Sequence, residues 1–298
     1  MTEPLPFNVS IGGLAALLSA AFWALSAILF KLVSDKASPW GLALVKSLAG
    51  ALLLGGIVSL PGLTAVPREA MLFLGLSGLL GIALGDTLFF ASLDKLGPRD
   101  VLLLGTLGPA FTVLLAVVFL GERPSPYNWA GMALTLGGIY WAMSGEAGSD
   151  PGRGGAIAAG VKYGVLSALC NSAGIILAKA GVSSVSAMEA TFIRFLWGAA
   201  GLLAAAQYTR SLKSCFVPFG EGRTAAILAA AVLTAVFGGY WLFMFALKYT
   251  DASLAAVLNE TAPLFALPLS MLILKKSVSA RAAAGALAAV GGVVLIFA

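Results

Sequence analysis

Four charged residues stand inside long apolar runs: Lys46 in Leu44-Val45-Lys46-Ser47, Asp86 in Leu84-Gly85-Asp86-Thr87, Arg194 in Phe192-Ile193-Arg194-Phe195 and Glu260 in Leu258-Asn259-Glu260-Thr261. A charge held at mid-bilayer costs roughly 2.5–3.5 kcal/mol on insertion scales, so such a residue faces a partner or a water-filled cavity. Glu260 is the sharpest of the four. It is three residues before Pro263, which has no N–H and disturbs the preceding helical turn, freeing the carbonyl of Asn259. A carboxyl there is costly in its charged form and suits a group that takes up and releases a proton. The competing reading is a carboxyl tied permanently to Arg194 or Lys46. Asp86 is the second proton-carrying candidate, with a pair to Lys46 as its structural alternative. Lys46 and Arg194 are candidates for structural charges, as counter-ions or by snorkelling to the interface.

Polar and aromatic residues at similar depth complete a candidate binding pocket. Trp23, Asn171, Tyr240, Trp241, Asn259 and Glu260 are its expected lining. Most membrane aromatics sit in interfacial belts, and Trp40, Trp129 and Tyr208 fit that role, whereas Trp23, Tyr240 and Trp241 are too deep for it. Core packing is the plainer explanation of these deep aromatics. Pro109 and Pro263 lie within spans and are candidate hinges.

Other chemistries are disfavoured. The chain has no His and only two Cys, Cys170 and Cys215, with no ligand spacing. No metal site or disulfide framework follows from that. No nucleophile–base pair is legible, so an enzyme is not expected, and no cofactor or nucleic-acid partner is implied.

The elements that position these residues follow from composition. Of 298 residues, 60% are hydrophobic and 10% charged, and the mean hydropathy is +0.98. Soluble domains run nearer 45–50% apolar and about 25% charged. The expectation is an all-α polytopic membrane protein with ten transmembrane helices. The expected spans are Ile11–Phe30, Trp40–Leu60, Ala70–Leu93, Val101–Leu120, Tyr127–Met143, Ala156–Ala180, Ala187–Tyr208, Thr224–Leu247, Ala252–Leu274 and Ala282–Ala298. The short loops on the side opposite the termini carry most of the Lys and Arg, which the positive-inside rule places in the cytoplasm.

The chain also repeats itself. At a register of 148 residues Leu18-Ser19-Ala20 falls on Leu166-Ser167-Ala168, Lys31 on Lys179 and Lys46 on Arg194. At a register of 154, Pro109 falls on Pro263, Gly131 on Gly285 and Gly137-Gly138 on Gly291-Gly292. Residues 1–143 form the first five-helix repeat, 144–155 a Gly/Ser-rich linker and 156–298 the second. An odd number of spans per repeat forces opposite polarity on the second, an inverted-topology repeat with its site near the midplane.

These residues carry a resemblance. Leu120-Gly121-Glu122 closes the fourth span and Trp129-Ala130-Gly131 opens the fifth. Pro109, Pro263 and Arg194 within Phe192–Phe195 stand where the pattern expects them. In order and spacing the chain resembles the EamA-like family of the drug/metabolite transporter superfamily. It departs from the pattern where Lys275-Lys276 replaces the Gly-Glu of the first half. The resemblance implies a multi-pass protein of a bacterial inner (plasma) membrane. It further implies a secondary active transporter working by alternating access, with a central cavity between the halves. Members move amino acids, amines, nucleosides, sugars and drugs, often outward. The expected partners are therefore a small-molecule substrate, the lipid bilayer and a coupling proton or exchanged substrate, with the oligomeric state open. The alternative is a lipid-linked carrier or flippase with an anionic headgroup site built on Lys46 and Arg194.

Overall fold

The computed structural model describes residues 11–34, 38–59, 66–96, 104–105, 107–143, 154–208, 222–262, 264–265, 268–269 and 279–296. Pro263, most of the expected 144–155 linker and residues 209–221 lie outside them. The regular structure among the described residues is helical.

The first half contributes α1 (Ile11–Ser34), α2 (Pro39–Ser59), α3 (Arg68–Ser77), α4 (Asp86–Leu96), α5 (Leu107–Leu115) and α6 (Pro126–Met143). The second contributes α7 (Gly154–Val182), α8 (Ala187–Tyr208), α9 (Gly222–Leu233), α10 (Leu242–Tyr249), α11 (Ala252–Asn259) and α12 (Ala280–Ile296). Wide π-helical turns over Gly78–Gly85 join α3 to α4, and others over Thr234–Trp241 join α9 to α10. Among the described residues, six continuous helices are long and apolar enough to cross a membrane: Ile11–Phe30, Trp40–Ser59, Arg68–Ser92, Ala158–Val182, Ala187–Tyr208 and Gly222–Tyr249. Leu107–Leu120 and Ala283–Leu295 are shorter apolar helices. The expected ninth span is helical over Ala252–Asn259 and turns at Glu260–Thr261. The expected linker is shorter at its far end, because α7 already begins at Gly154.

Helix starts follow local chemistry. At α8, the Glu189 N–H donates to Ser186 Oγ (3.1 Å) and the Ser186 N–H donates to Glu189 Oε2 (2.8 Å). This reciprocal capping box satisfies two orphan donors and accounts for Glu189. Ser125 and Asn128 make the equivalent exchange at α6, at 3.1 and 2.9 Å.

The two halves are interleaved. Helix α1 packs on α9 to α11, while α7 packs on α3 to α5; α2 lies on α8, and α6 on α12. The same contacts recur at matched positions. The Ser19 hydroxyl lies 2.8 Å from the Gly239 carbonyl, and the Ser167 hydroxyl donates to the Gly85 carbonyl at 2.8 Å. Ser167 is 148 residues after Ser19, and Gly239 is 154 after Gly85. Likewise a Cβ on Gly138 would strike the backbone of Gly285 and Ala289, and one on Gly292 would strike Gly131 and Thr135, each pair offset by 154. Small residues let these backbones approach where lipid supplies no hydrophobic drive.

Candidate functional site

A cavity of about 360 Å³ lies among α1, α2, α4, α5, α7, α8 and α11. Its wall is mainly apolar, with Phe30, Phe89, Phe90 and Phe243 among its aromatic residues. The polar groups come from both halves of the chain: Lys46, Asp86, Asn171, Arg194, Asn259 and Glu260 all line it, with Trp23, Tyr240 and Pro109. A few convergent polar groups in an apolar pocket of this size suit a small organic ligand.

The π-helical turns carry or adjoin two of the cavity's polar residues. Asp86 directly follows one of them and Tyr240 lies in the other. A π-turn widens the helix and shifts the face that its side chains present. Glycines let the neighbouring helices close in around these turns. Gly81 lies against the Arg194 guanidinium and Gly174, and Gly85 against the Asn171 side chain. The Asn171 Nδ2–H donates to the Ser167 carbonyl one turn back, at 3.0 Å.

Lys46, Asp86 and Tyr240 form one bonded group. Lys46 Nζ donates to Asp86 Oδ2 and, at 2.8 Å, to the Tyr240 hydroxyl; that hydroxyl donates to Asp86 Oδ2 at 2.9 Å. Lys46 is 2% exposed, and its ammonium lies 4.7 Å from the Tyr240 ring centroid. Trp23 and Phe195 each meet that ring edge-on, with centroids 4.8 Å away. Tyr240 is thus held from both sides, and the Lys46 charge is balanced within hydrogen-bond reach, as a buried charge requires.

Glu260 is placed differently. It follows the last residue of α11, where the backbone leaves helical geometry and the Thr261 N–H turns back to the Leu258 carbonyl at 3.2 Å. Its carboxyl faces the cavity near α5, where a Cβ on Gly105 would lie 3.2 Å from Oε1. Neither Lys46 nor Arg194 forms a salt bridge with it among the described residues. Asn259 Oδ1 is 2.8 Å from the Ser19 hydroxyl, which ties the end of α11 to α1. Pro263 lies outside the described residues, while Pro109 is buried in the first turn of α5.

Trp241 does not join the group. One residue past Tyr240 is a rotation of about 100° around a helix, and Trp241 packs instead against the apolar cluster that includes Phe243 and Met244. Two cavity residues escape a sequence reading. Thr112 carries a buried hydroxyl without a hydrogen-bond partner, and Ser172 donates to the Gly108 carbonyl at 2.8 Å. Hydroxyls are common in apolar helices, so nothing local marks these two.

A mainly apolar cavity with a few convergent polar groups, enclosed by apolar spanning helices, is the architecture of a multi-pass integral membrane protein with room for a small organic ligand. The model of the EamA-like transporter family matches residues 10–144 and 158–298. The chain belongs to the EamA-like transporter family. It is 27% identical over 146 residues to the aromatic amino acid exporter YddG of Salmonella typhimurium (strain 14028s / SGSC 2262), covering 47% of this chain and 48% of that one. The match therefore spans about half the length of that relative. It is 31% identical over 137 residues to an uncharacterized transporter in the cobO 3' region of Sinorhizobium sp, covering 41% of this chain and 89% of the relative. A solved crystal structure superposes with a TM-score of 0.71 over 97% of this chain and 96% of its own, at 20% identity, a likeness of fold.

Proposed function

We propose that the chain is a secondary active transporter of the bacterial inner membrane. It moves small organic metabolites outward by alternating access between two inverted five-helix repeats. The observation that carries this reading is a cavity whose polar groups come from both halves, with Lys46 and Asp86 from the first and Arg194, Tyr240 and Glu260 from the second. The matched contacts Ser19–Gly239 and Ser167–Gly85 support two equivalent repeats. Five spans in each would give them opposite polarity. Rocking one repeat against the other would then open the cavity to each side in turn, with Pro109 and Pro263 as the bending points.

Glu260 is the proposed coupling carboxylate. It faces the cavity without the permanent cation that Asp86 has, so a proton can neutralise it without breaking a salt bridge. Asp86, bonded to Lys46 and Tyr240, serves to hold the site. That bonding also weighs against a headgroup site built on Lys46 and Arg194 together, because the Lys46 charge is already matched.

The test is transport in proteoliposomes with a pH-sensitive dye inside, across amino acids, amines and nucleosides, for the wild type and Glu260→Gln. One substrate should move protons with the wild type. The variant should bind that substrate and lose the proton signal. Full coupled transport by Glu260→Gln would overturn the coupling role, and absence of any substrate-dependent flux would overturn transport of this panel.

A further inference from the structure

We infer that Arg194 is the anion-recognition group of the cavity and that the ligand carries a carboxylate on an apolar body. This deepens the transport reading and rests on it. Arg194 is 4% exposed and lines the cavity. Its Nη1–H meets only the Met244 sulfur, at 3.5 Å, and its buried Nε–H has no partner. A thioether is a weak acceptor, and a guanidinium presents five N–H donors. Among the described residues no carboxylate forms a salt bridge with it.

A buried cation without a partner is costly, so such a group is retained where something else completes it. The neighbouring charges do not. Asp86 is committed to Lys46 and Tyr240. The Lys46–Asp86 pair is neutral, and Glu260, the other carboxyl of the wall, forms no salt bridge with Arg194, so the guanidinium has no ion-pair partner among the described residues. A carboxylate matches the guanidinium fork with two parallel hydrogen bonds, which an amine or a neutral amide cannot supply. The rest of the wall fixes the body of the ligand: Trp23, Phe30, Phe89, Phe90 and Phe243 offer aromatic surface. An amine with the same body would meet like charge at Arg194.

The experiment is ligand binding to the purified full-length chain in phosphatidylcholine nanodiscs, by isothermal titration. The probes are matched pairs, 3-phenylpropionate with 3-phenylpropionamide and L-phenylalanine with L-phenylalaninamide. At least one acid should bind ten-fold or more tightly than its amide. Arg194→Gln should bring acid and amide to the same affinity, whereas Arg194→Lys should keep part of the preference. Equal binding of acid and amide by the wild type, or failure of both acids to bind, overturns the inference without any variant having to fold. Acid preference that survives Arg194→Gln overturns the role of Arg194. Adding phosphatidylglycerol should leave the acid's affinity unchanged; a ten-fold loss would show that a lipid phosphate takes this site and would overturn the soluble carboxylate. Amines or nucleosides moving in the transport assay while both acids fail to bind would sink this inference and leave transport standing.

Discussion

Glu122 and Ser253, on opposite halves of the chain, are joined by two hydrogen bonds: the Ser253 N–H at 3.1 Å and its hydroxyl at 2.5 Å both donate to Glu122 Oε2. The Ala252 N–H donates to Oε1 at 2.6 Å. Glu122 therefore caps α11 from the short non-helical segment that precedes α6. Gly121 makes this possible, because its φ of 68° is a left-handed turn that ends the π-helical turns over Ala116–Leu120, which continue α5, and aims the next side chain at the α11 N-terminus. A carboxylate at a helix N-terminus meets unsatisfied N–H groups and the positive end of the helix dipole. The Leu-Gly-Glu motif is a latch between the halves, at the end of the helix whose other end carries Glu260.

Breaking that latch should destabilise the protein. Glu122→Ala removes the acceptor for three donors and should cost about 2 kcal/mol, near the upper range of a lost cap. Ser253→Ala should cost about 1 kcal/mol, a typical single hydrogen bond. Unfolding in detergent, followed by circular dichroism, reads both. Equal stability of Glu122→Ala and wild type would refute the capping role.

Asp251 makes the same junction sensitive to pH. Burial, and then the neighbouring Glu122 carboxylate, push its carboxyl above the usual range, while Lys179 pulls it back. A carboxyl raised in the folded state favours folding while protonated, and that contribution is lost as pH rises through the raised value. Asp251→Asn should therefore match the wild type in acid and become the more stable of the two as pH rises toward neutrality. The magnitude is small because the side chain is partly solvated. Melting temperatures of both proteins from about pH 3, below the ordinary carboxylate value, to about pH 7 check the sign, and a stabilising effect confined to acid would contradict it.

The Lys46–Asp86 pair should show strong coupling. Removing one partner leaves a buried charge uncompensated and costs about 3–5 kcal/mol. Lys46→Met and Asp86→Asn should each be severely destabilised, while the double variant should be more stable than the sum of the two losses predicts. Tyr240→Phe should cost about 1 kcal/mol, since the ion pair survives without the hydroxyl. Additive losses in a double-mutant cycle would mean that the two charges act independently.

Adjacent glycines on α6 should behave in opposite ways. A Cβ on Gly138 would strike the backbone of α12, whereas one on Gly137 would meet nothing within 4 Å. Gly138→Ala should therefore cost about 1–3 kcal/mol through overpacking. Gly137→Ala should be neutral or stabilising by up to about 1 kcal/mol through helix propensity. Gly292→Ala should follow Gly138→Ala, because Gly292 meets Thr135 and Gly131 as Gly138 meets Ala289 and Gly285. Denaturant unfolding of the three variants in one detergent separates these effects.

By itself, the sequence determined the class of protein and placed the six long apolar helices, because a bilayer penalises every charge and every unpaired backbone group locally, whatever the helix packs against. It also marked the deep charged residues and the repeat, since Ser19, Ser167, Gly138 and Gly292 recur at fixed offsets. Only the tertiary structure decided which charges meet. It gave Lys46 to Asp86 and Tyr240, left Arg194 facing the cavity without a carboxylate, and placed Glu260 there without a salt bridge. It brought Tyr240 to the cavity and turned its neighbour Trp241 into the apolar core. Each of these outcomes depends on the rotation of a helix about its own axis, where one residue is worth about 100°, and on which half it packs against. Hydropathy carries no information about either, because a span is equally apolar at every rotation.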